Sequence, residues 1–269
     1  MKAGRVSKSS LVEANDGLPA RPTGRWAQEK AFALERLFSI FNQGMKNRWA
    51  TRVYIDLLAG PGRSVIRDMK AEVDGSPILA LKCRVPFTHY FFNDADPQAV
   101  DALQRRAAAW PSAQVEYFCR DCNTVVPDLL TRLPERGLFL CFVDQTKWEC
   151  AFATLSELTC RRRMDLLVTF HTGNIKRVAS SAPSTLDTFF GDPLWPRSGS
   201  SRELLDHYEN RLAGMGYERD NIHDQVLIRN TKKTPMYHLL FASKHARGKD
   251  FWEKATQRSA SGQVRMDLD

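Results

Sequence analysis

The residues best placed to do chemistry are four aspartates, each following a short apolar run. Asp56 closes Arg52-Val53-Tyr54-Ile55 and opens Leu57-Leu58-Ala59-Gly60-Pro61-Gly62. At Gly60 and Gly62 the missing side chains let a ligand approach the backbone closely. Asp94 follows His89-Tyr90-Phe91-Phe92-Asn93, where a carboxylate can accept both hydroxyls of a ribose; Asp96 is the alternative. Asp121 stands just after Val115-Glu116-Tyr117-Phe118-Cys119, placed to face an exocyclic amine of adenine. Asp144 follows Leu138-Phe139-Leu140-Cys141-Phe142-Val143, at the mouth of the crevice where open α/β sheets bind ligands. The loop has no third glycine and no Gly-Lys-Ser or Gly-Lys-Thr, so S-adenosylmethionine fits it better than a nicotinamide dinucleotide or a nucleoside triphosphate. Methyl transfer from a sulfonium is an in-line displacement that needs positioning more than a strong base. Asp144 with Trp148 is the expected acceptor side. Asp56 contacts the cofactor or caps the glycine loop.

Elements of the right length stand ready to position these groups. From Trp26 to about Phe41, apolar Phe32, Leu34, Leu37, Phe38 and Phe41 recur at helical spacing. The runs ending near Asp56, Asn93, Cys119 and Val143, and a fifth at Asp165-Leu166-Leu167-Val168-Thr169-Phe170, read as buried parallel strands separated by helix-length intervals. Ala99 to Ala109 and Ser201 to Met215 read as helices, and residues 182–196 as a loop-rich stretch. Asp224 to Arg229 and Met236 to Ser243 form a closing pair. The expected fold is α/β, a Rossmann-like doubly wound sheet of the class I methyltransferase type, mostly parallel with an antiparallel C-terminal strand pair. Residues 1–23 read as a disordered tail, 24–254 as the domain and 255–269 as a second tail.

The chain of 269 residues is 43% hydrophobic and 26% charged, the composition of a folded globular protein. It has no apolar run long enough for a membrane span and no apolar signal core after Met1-Lys2-Ala3-Gly4-Arg5. A cytoplasmic protein with reduced, mostly buried thiols is expected from its six cysteines. A net charge of +8 makes nucleic acid a candidate partner, although Arg105-Arg106, Arg161-Arg162-Arg163 and Lys232-Lys233 read first as solvated faces.

Tyr54-Ile55-Asp56-Leu57-Leu58-Ala59-Gly60-Pro61-Gly62, Gly75-Ser76-Pro77, Phe92-Asn93-Asp94-Ala95-Asp96-Pro97 and His238-Leu239-Leu240-Phe241-Ala242-Ser243-Lys244-His245 together resemble the three-Cys-motif partner (TcmP) family. The resemblance runs from about Trp26 to Trp252. It implies a methyltransferase-like fold of bacterial or phage origin and an iron-sulfur, radical-type partner bearing three cysteines. Those cysteines belong to the partner, so Cys119 and Cys122 are not the motif. Ser76 reads from the residues as a helix cap before Pro77; the resemblance adds that this turn sits over the cofactor's methionine. The chain departs from the family at Asp144-Gln145-Thr146-Lys147-Trp148, where proline and an aromatic or glycine are expected. That departure weakens a base-amine methylation reading.

Two functions follow: a methyltransferase of unassigned acceptor, or a non-catalytic partner subunit that has kept the fold. A third, a nucleic-acid enzyme holding magnesium on Asp56, Asp94 and Asp144, is disfavoured by their separate strand ends. Cys119-Arg120-Asp121-Cys122 lacks a second pair and reads as structural rather than a zinc site. His171 reads as a loop histidine before a general base, and Ser243-Lys244-His245 as a turn.

Overall fold

The computed structural model describes residues 11–264, Arg161 excepted, with Gln225 described in its backbone alone. The chain begins with β1 (Val12–Glu13) and β2 (Pro19–Thr23), then the long helix α1 (Trp26–Met45). The first core strand, β3 (Arg52–Asp56), enters the glycine loop, from which a hairpin, β4 (Arg63–Ile66) and β5 (Ala71–Asp74), projects before α2 (Ser76–Leu81). Strand and helix then alternate through β6 (His89–Asn93), α3 (Pro97–Ala107), β7 (Val115–Phe118), α4 (Val126–Arg132), β8 (Leu138–Val143), α5 (Phe152–Thr159) and β9 (Met164–Phe170). Short helices α6 (Ile175–Ser181) and α7 (Pro183–Phe190) and the longer α8 (Ser201–Ala213) lead to β10 (Ile222–Arg229), β11 (Pro235–Ala242) and α9 (Ala246–Thr256).

The seven-stranded sheet has the order β10-β11-β9-β8-β3-β6-β7. β3 pairs in parallel with both β6 and β8, so the chain reverses its winding direction there. Such a switch point opens a crevice at the carboxyl ends of the two central strands. β11 runs antiparallel to both β9 and β10, so it alone opposes the sheet. Alternate residues of β3 feed opposite cores. Val53 and Ile55 pack on the side that receives Leu129, Leu155 and Tyr208. Tyr54 packs on the other side with Phe38, Phe41 and Phe87. Burial on both faces explains why these strands read as continuous apolar runs.

The N-terminal expectation needs correction. Residues 12–13 pair with residues 19–20, and residues 21–23 pair with β4 of the inserted hairpin, in a four-stranded sheet ordered β1-β2-β4-β5. No tail is present over Leu11 to Thr23; residues 1–10 lie outside the described residues. The cause is Arg106, expected on a solvated face. Its guanidinium is buried, donates two bonds to Asp16 at 2.8 Å, and donates to the carbonyls of Leu18, Pro19 and Pro61. At the other end α9 continues to Thr256 and Arg258 bridges Val264, so the expected tail is not present over residues 255–264; residues 265–269 lie outside the described residues. The 182–196 stretch also differs, holding α7, whose end at Gly191 is left-handed.

Candidate functional site

The crevice at the switch point begins with the loop after β3. Two neighbouring strands hold it: Leu57 N–H donates to the Phe142 carbonyl and Ala59 N–H to that of Asn93. Gly60 and Gly62 have φ of 63° and 79°, conformations that other residues adopt at a cost. A Cβ at Gly62 would stand 2.9 Å from Leu103 and 3.0 Å from Ile78, both buried. Gly75 N–H donates to the Gly62 carbonyl at 2.9 Å, closing the base of the hairpin and setting Ser76 against the loop.

Asp56 is wholly buried beneath this loop. Ser76 Oγ donates to it at 2.6 Å, Tyr54 hydroxyl at 3.0 Å and Leu58 N–H at 3.3 Å. Burial outweighs these donors and pushes its carboxyl up to about 7. Of the two readings of Asp56, the geometry gives the structural cap. Ser76 does double duty, lining the cleft and tying α2 to that cap.

Asp94 is likewise engaged. It accepts from Gly60 N–H at 2.8 Å and Asp96 N–H at 2.9 Å, and Arg21 of β2 donates to it at 2.8 Å. Arg21 is nearly half exposed. Asp96 caps α3 by accepting from Gln98 N–H. Asp121 is exposed, accepts from Asn123 N–H at 2.8 Å and does not line the cleft.

The cleft therefore brings together Gly60, Gly62, Ser76 and Asp144, and leaves Asp94 behind Arg21. Its volume is about 120 Å³, below the roughly 300–1,000 Å³ of ligand pockets. Arg21 and the hairpin residues Arg63 and Ser64 supply part of its wall.

Asp144 forms an ion pair with Lys30, a residue of α1 that sequence reasoning missed. Burial works against the Lys30 charge, yet the Asp144 carboxylate holds its ammonium above the ordinary lysine range. Lys30 also lies 5.9 Å over the ring of Tyr237. The Tyr237 hydroxyl is buried without a hydrogen-bond partner among the described residues, as are Thr172 Oγ1 and Asn174 Oδ1 on the loop after β9; Gly173 N–H donates to Met236, next to Tyr237. His171 completes the group, its ring 5.1 Å from that of Tyr237. Burial holds His171 below the usual imidazole range. Its Nε2 meets the Gln145 carbonyl at 2.5 Å; a carbonyl only accepts, so Nε2 carries the proton and Nδ1 has the lone pair. Lys30 and Tyr237 left no sequence signal because they are 207 positions apart.

Trp148 does not line the cleft. It has φ of 64° and is 3% exposed, its indole packed against Phe170 and Phe189 at 5.5 and 4.6 Å. The left-handed turn sends the ring inward, where an aromatic cluster buries it. Gln145, in the position where proline was expected, donates to Thr169 and accepts from Cys150 N–H, fixing the turn in another way.

No protein-family model and no curated protein matches the chain. Solved structures do. A Legionella pneumophila protein of family-model DUF519 has a TM-score of 0.53 and 12% identity, over 89% of this chain and 96% of that one. Trm1 from Pyrococcus horikoshii with S-adenosyl-L-methionine has 0.45 and 14%, over 89% and 63%. Magnesium protoporphyrin IX methyltransferase from Synechocystis has 0.44 and 12%, over 81% and 83%. The fold shared with the first of these is a doubly wound α/β sheet, mostly parallel, with an antiparallel C-terminal strand pair.

Within that fold, the other flagged residues have structural places. Cys119 is exposed rather than buried in a strand, Cys122 is buried, and none of the six cysteines is in a disulfide. Among the described residues no cluster of three or more His, Cys, Asp or Glu side chains has the arrangement of a metal site, and Asp56, Asp94 and Asp144 do not converge. Among them too, no helix is long and apolar enough to cross a membrane.

Proposed function

We propose that this protein binds S-adenosylmethionine in the cleft after β3 and transfers its methyl group to an acceptor held near Asp144. The observation that carries this reading is the cleft itself: a backbone bared by Gly60 and Gly62 at the switch point, with Ser76 and Asp144 on its two sides. Bound S-adenosylmethionine supplies a methyl group already activated on a sulfonium. Gly60 and Gly62 would leave room for it, and Ser76 would face its methionine end. Asp94 would take the ribose hydroxyls after Arg21 swings away. Asp121, exposed beyond β7, would reach the adenine only through movement of its loop.

The residues at the other side orient and deprotonate. The Lys30 ammonium holds Asp144 in one place. The Tyr237 hydroxyl, Thr172 and Asn174 offer polar atoms with no internal partner, which suits recognition of a polar acceptor. His171, neutral and with its lone pair on Nδ1, is available to take a proton. The resemblance to the three-Cys-motif partner family supports the same reading and adds an iron-sulfur protein with three cysteines as partner, in a bacterial or phage cytoplasm.

One observation favours a second reading, a non-catalytic partner subunit. The turn after β8 departs from the expected Asp-Pro pattern, its acid is paired with Lys30, and Trp148 points into the core. Calorimetric titration of S-adenosylmethionine and S-adenosylhomocysteine, beside Asp94→Asn and Asp94→Ala, separates the readings. Micromolar binding that both variants weaken supports the cofactor site, and methyl transfer to any acceptor then supports the enzyme. Binding without transfer, with capture of the iron-sulfur protein, favours the subunit. No binding by the intact protein removes the enzyme.

A further inference from the structure

A second cavity, of about 560 Å³, lies at the opposite end of the sheet, where β8 and β9 begin and β11 ends. Its volume falls in the range of pockets that hold small ligands. Its apolar wall is Phe41, Met45, Trp49, Leu138 and Phe251. Phe251 is seated by Gly44, where a Cβ would come within 2.6 Å of its ring. The floor is equally close-fitting. Ser243 Oγ donates to the buried Asp165 at 2.6 Å, and a Cβ at Gly248 would stand 2.1 Å from that Oγ.

The rim carries the charge. Arg48, Arg163 and Arg247 line the cavity, and none has an ion-pair partner among the described residues. Arg163 lies 5.5 Å from the centroid of Trp49, a cation–π contact that leaves its donors free. Lys244, the fourth cation, is already committed: it donates to the Thr159 carbonyl at 2.9 Å and lies over Tyr217. Asp165 is the one carboxylate lining the space, and it is occupied by Ser243. Many other arginines of the chain do have carboxylate partners: Arg106 with Asp16, Arg202 with Asp206, Glu209 and Asp224, and Arg219 with Glu209. Arginines without a carboxylate partner occur elsewhere among the described residues, Arg67, Arg84 and Arg177 among them, so what marks this cavity is that three of them line one partly aromatic hollow.

We propose that this cavity binds a nucleotide unit, its phosphate on Arg48, Arg163 and Arg247 and its base against the Trp49 and Phe251 wall. Guanidinium groups pair with phosphate oxygens through two parallel bonds, and a base gains about 1–3 kcal/mol by stacking on an aromatic side chain. The same chemistry is offered by a free mononucleotide or by one residue of a nucleic-acid strand. This site is separate from the cleft after β3 and does not depend on the reading of that cleft.

The test uses the full chain and titrates three probes at low salt, with and without excess S-adenosylhomocysteine to separate any contribution of the cleft after β3: thymidine, thymidine 5′-monophosphate and 5′-phosphorylated tetrathymidylate. The phosphorylated probes should bind and thymidine should not. The double variant Arg48→Gln/Arg163→Gln should weaken binding at least tenfold, and for the tetranucleotide lower the slope of log affinity on log salt by about one per arginine. Its melting temperature should stay within a few degrees of the wild-type value, since both side chains are exposed and without ion pairs among the described residues, and Arg163 gives up only its exposed contact with Trp49. The Lys232→Gln/Lys233→Gln variant, on the distant β10–β11 turn, should bind as wild type does. Equal affinity for the monophosphate and the tetranucleotide assigns the site to a free nucleotide; a tetranucleotide bound tenfold tighter assigns it to a strand. The proposal is overturned if neither phosphorylated probe binds, if the arginine variant binds unchanged, or if the lysine variant loses as much.

Discussion

Asp56 is an acid kept from water by the loop it organises. Its carboxyl sits at about 7 in the folded protein against 3.8 for an ordinary aspartate, because burial outweighs the Ser76, Tyr54 and Leu58 donors. A carboxyl raised in this way binds its proton more tightly when folded. The resulting stability is complete below about pH 4 and is lost as pH rises through about 7. A shift of this size corresponds to roughly 4 kcal/mol. Asp165 is also pushed up to about 7 by burial, so two acids act in the same direction. Asp56→Asn keeps an acceptor for Ser76 and Tyr54 but cannot ionise. Urea midpoints measured between about pH 5 and about pH 8 should fall less steeply for the variant than for the wild type. An identical slope would show that Asp56 does not titrate in that window.

At the scale of elements, the N-terminal strands are held to the glycine loop by side chains as well as by the pairing of β2 with β4. Arg106 of α3 joins Asp16, Leu18 and Pro19 to Pro61. Removing it leaves several carbonyls without a donor, so Arg106→Ala should cost at least about 3 kcal/mol and open residues 11–23 to proteolysis before the core melts. Arg106 also lowers the Asp16 carboxyl to about 2. That contribution is present above about pH 4 and is lost as pH falls toward 2, and the variant should not show it. Arg21 of β2 has the opposite relation to the cofactor reading. It competes for Asp94, and an exposed partner of this kind is worth up to about 1 kcal/mol. Arg21→Gln should therefore tighten S-adenosylhomocysteine binding up to about fivefold; weaker binding would make Arg21 a ligand contact. The parallel strands were legible because burial on both faces leaves unbroken apolar runs such as Leu138-Phe139-Leu140-Cys141-Phe142-Val143. The glycine loop was legible because backbone approach restricts it to one residue type. The segment from Leu11 to Thr23 was not, since its order comes from an arginine 90 positions away from Asp16. Lys30, Tyr237 and the inward turn of Trp148 were hidden for the same reason, as tertiary contacts with no local periodicity.

For the whole molecule, α1 links the two cavities. Ala27, Lys30, Ala31 and Leu34 line the first, and Phe41 and Met45 the second, along one helix of 20 residues. Such a helix spans about 30 Å, so a ligand at one end can influence the other only if α1 moves as a body. Its packing opposes that. Leu34, Leu37, Phe38 and Phe41 are fully buried against the sheet, and Arg36 donates to the Ala255 and Lys254 carbonyls at the end of α9. Coupling between sites requires an element with two arrangements of similar free energy, and α1 is fixed on two sides. S-adenosylhomocysteine and thymidine 5′-monophosphate should accordingly bind independently. The dissociation constant of each, measured by calorimetry with and without saturation by the other, should change by less than about twofold, a coupling under about 0.4 kcal/mol. A change of about fivefold or more in both constants, equal as linkage demands, would show that α1 shifts between the two ends and would make the distant cavity a regulator of the cleft.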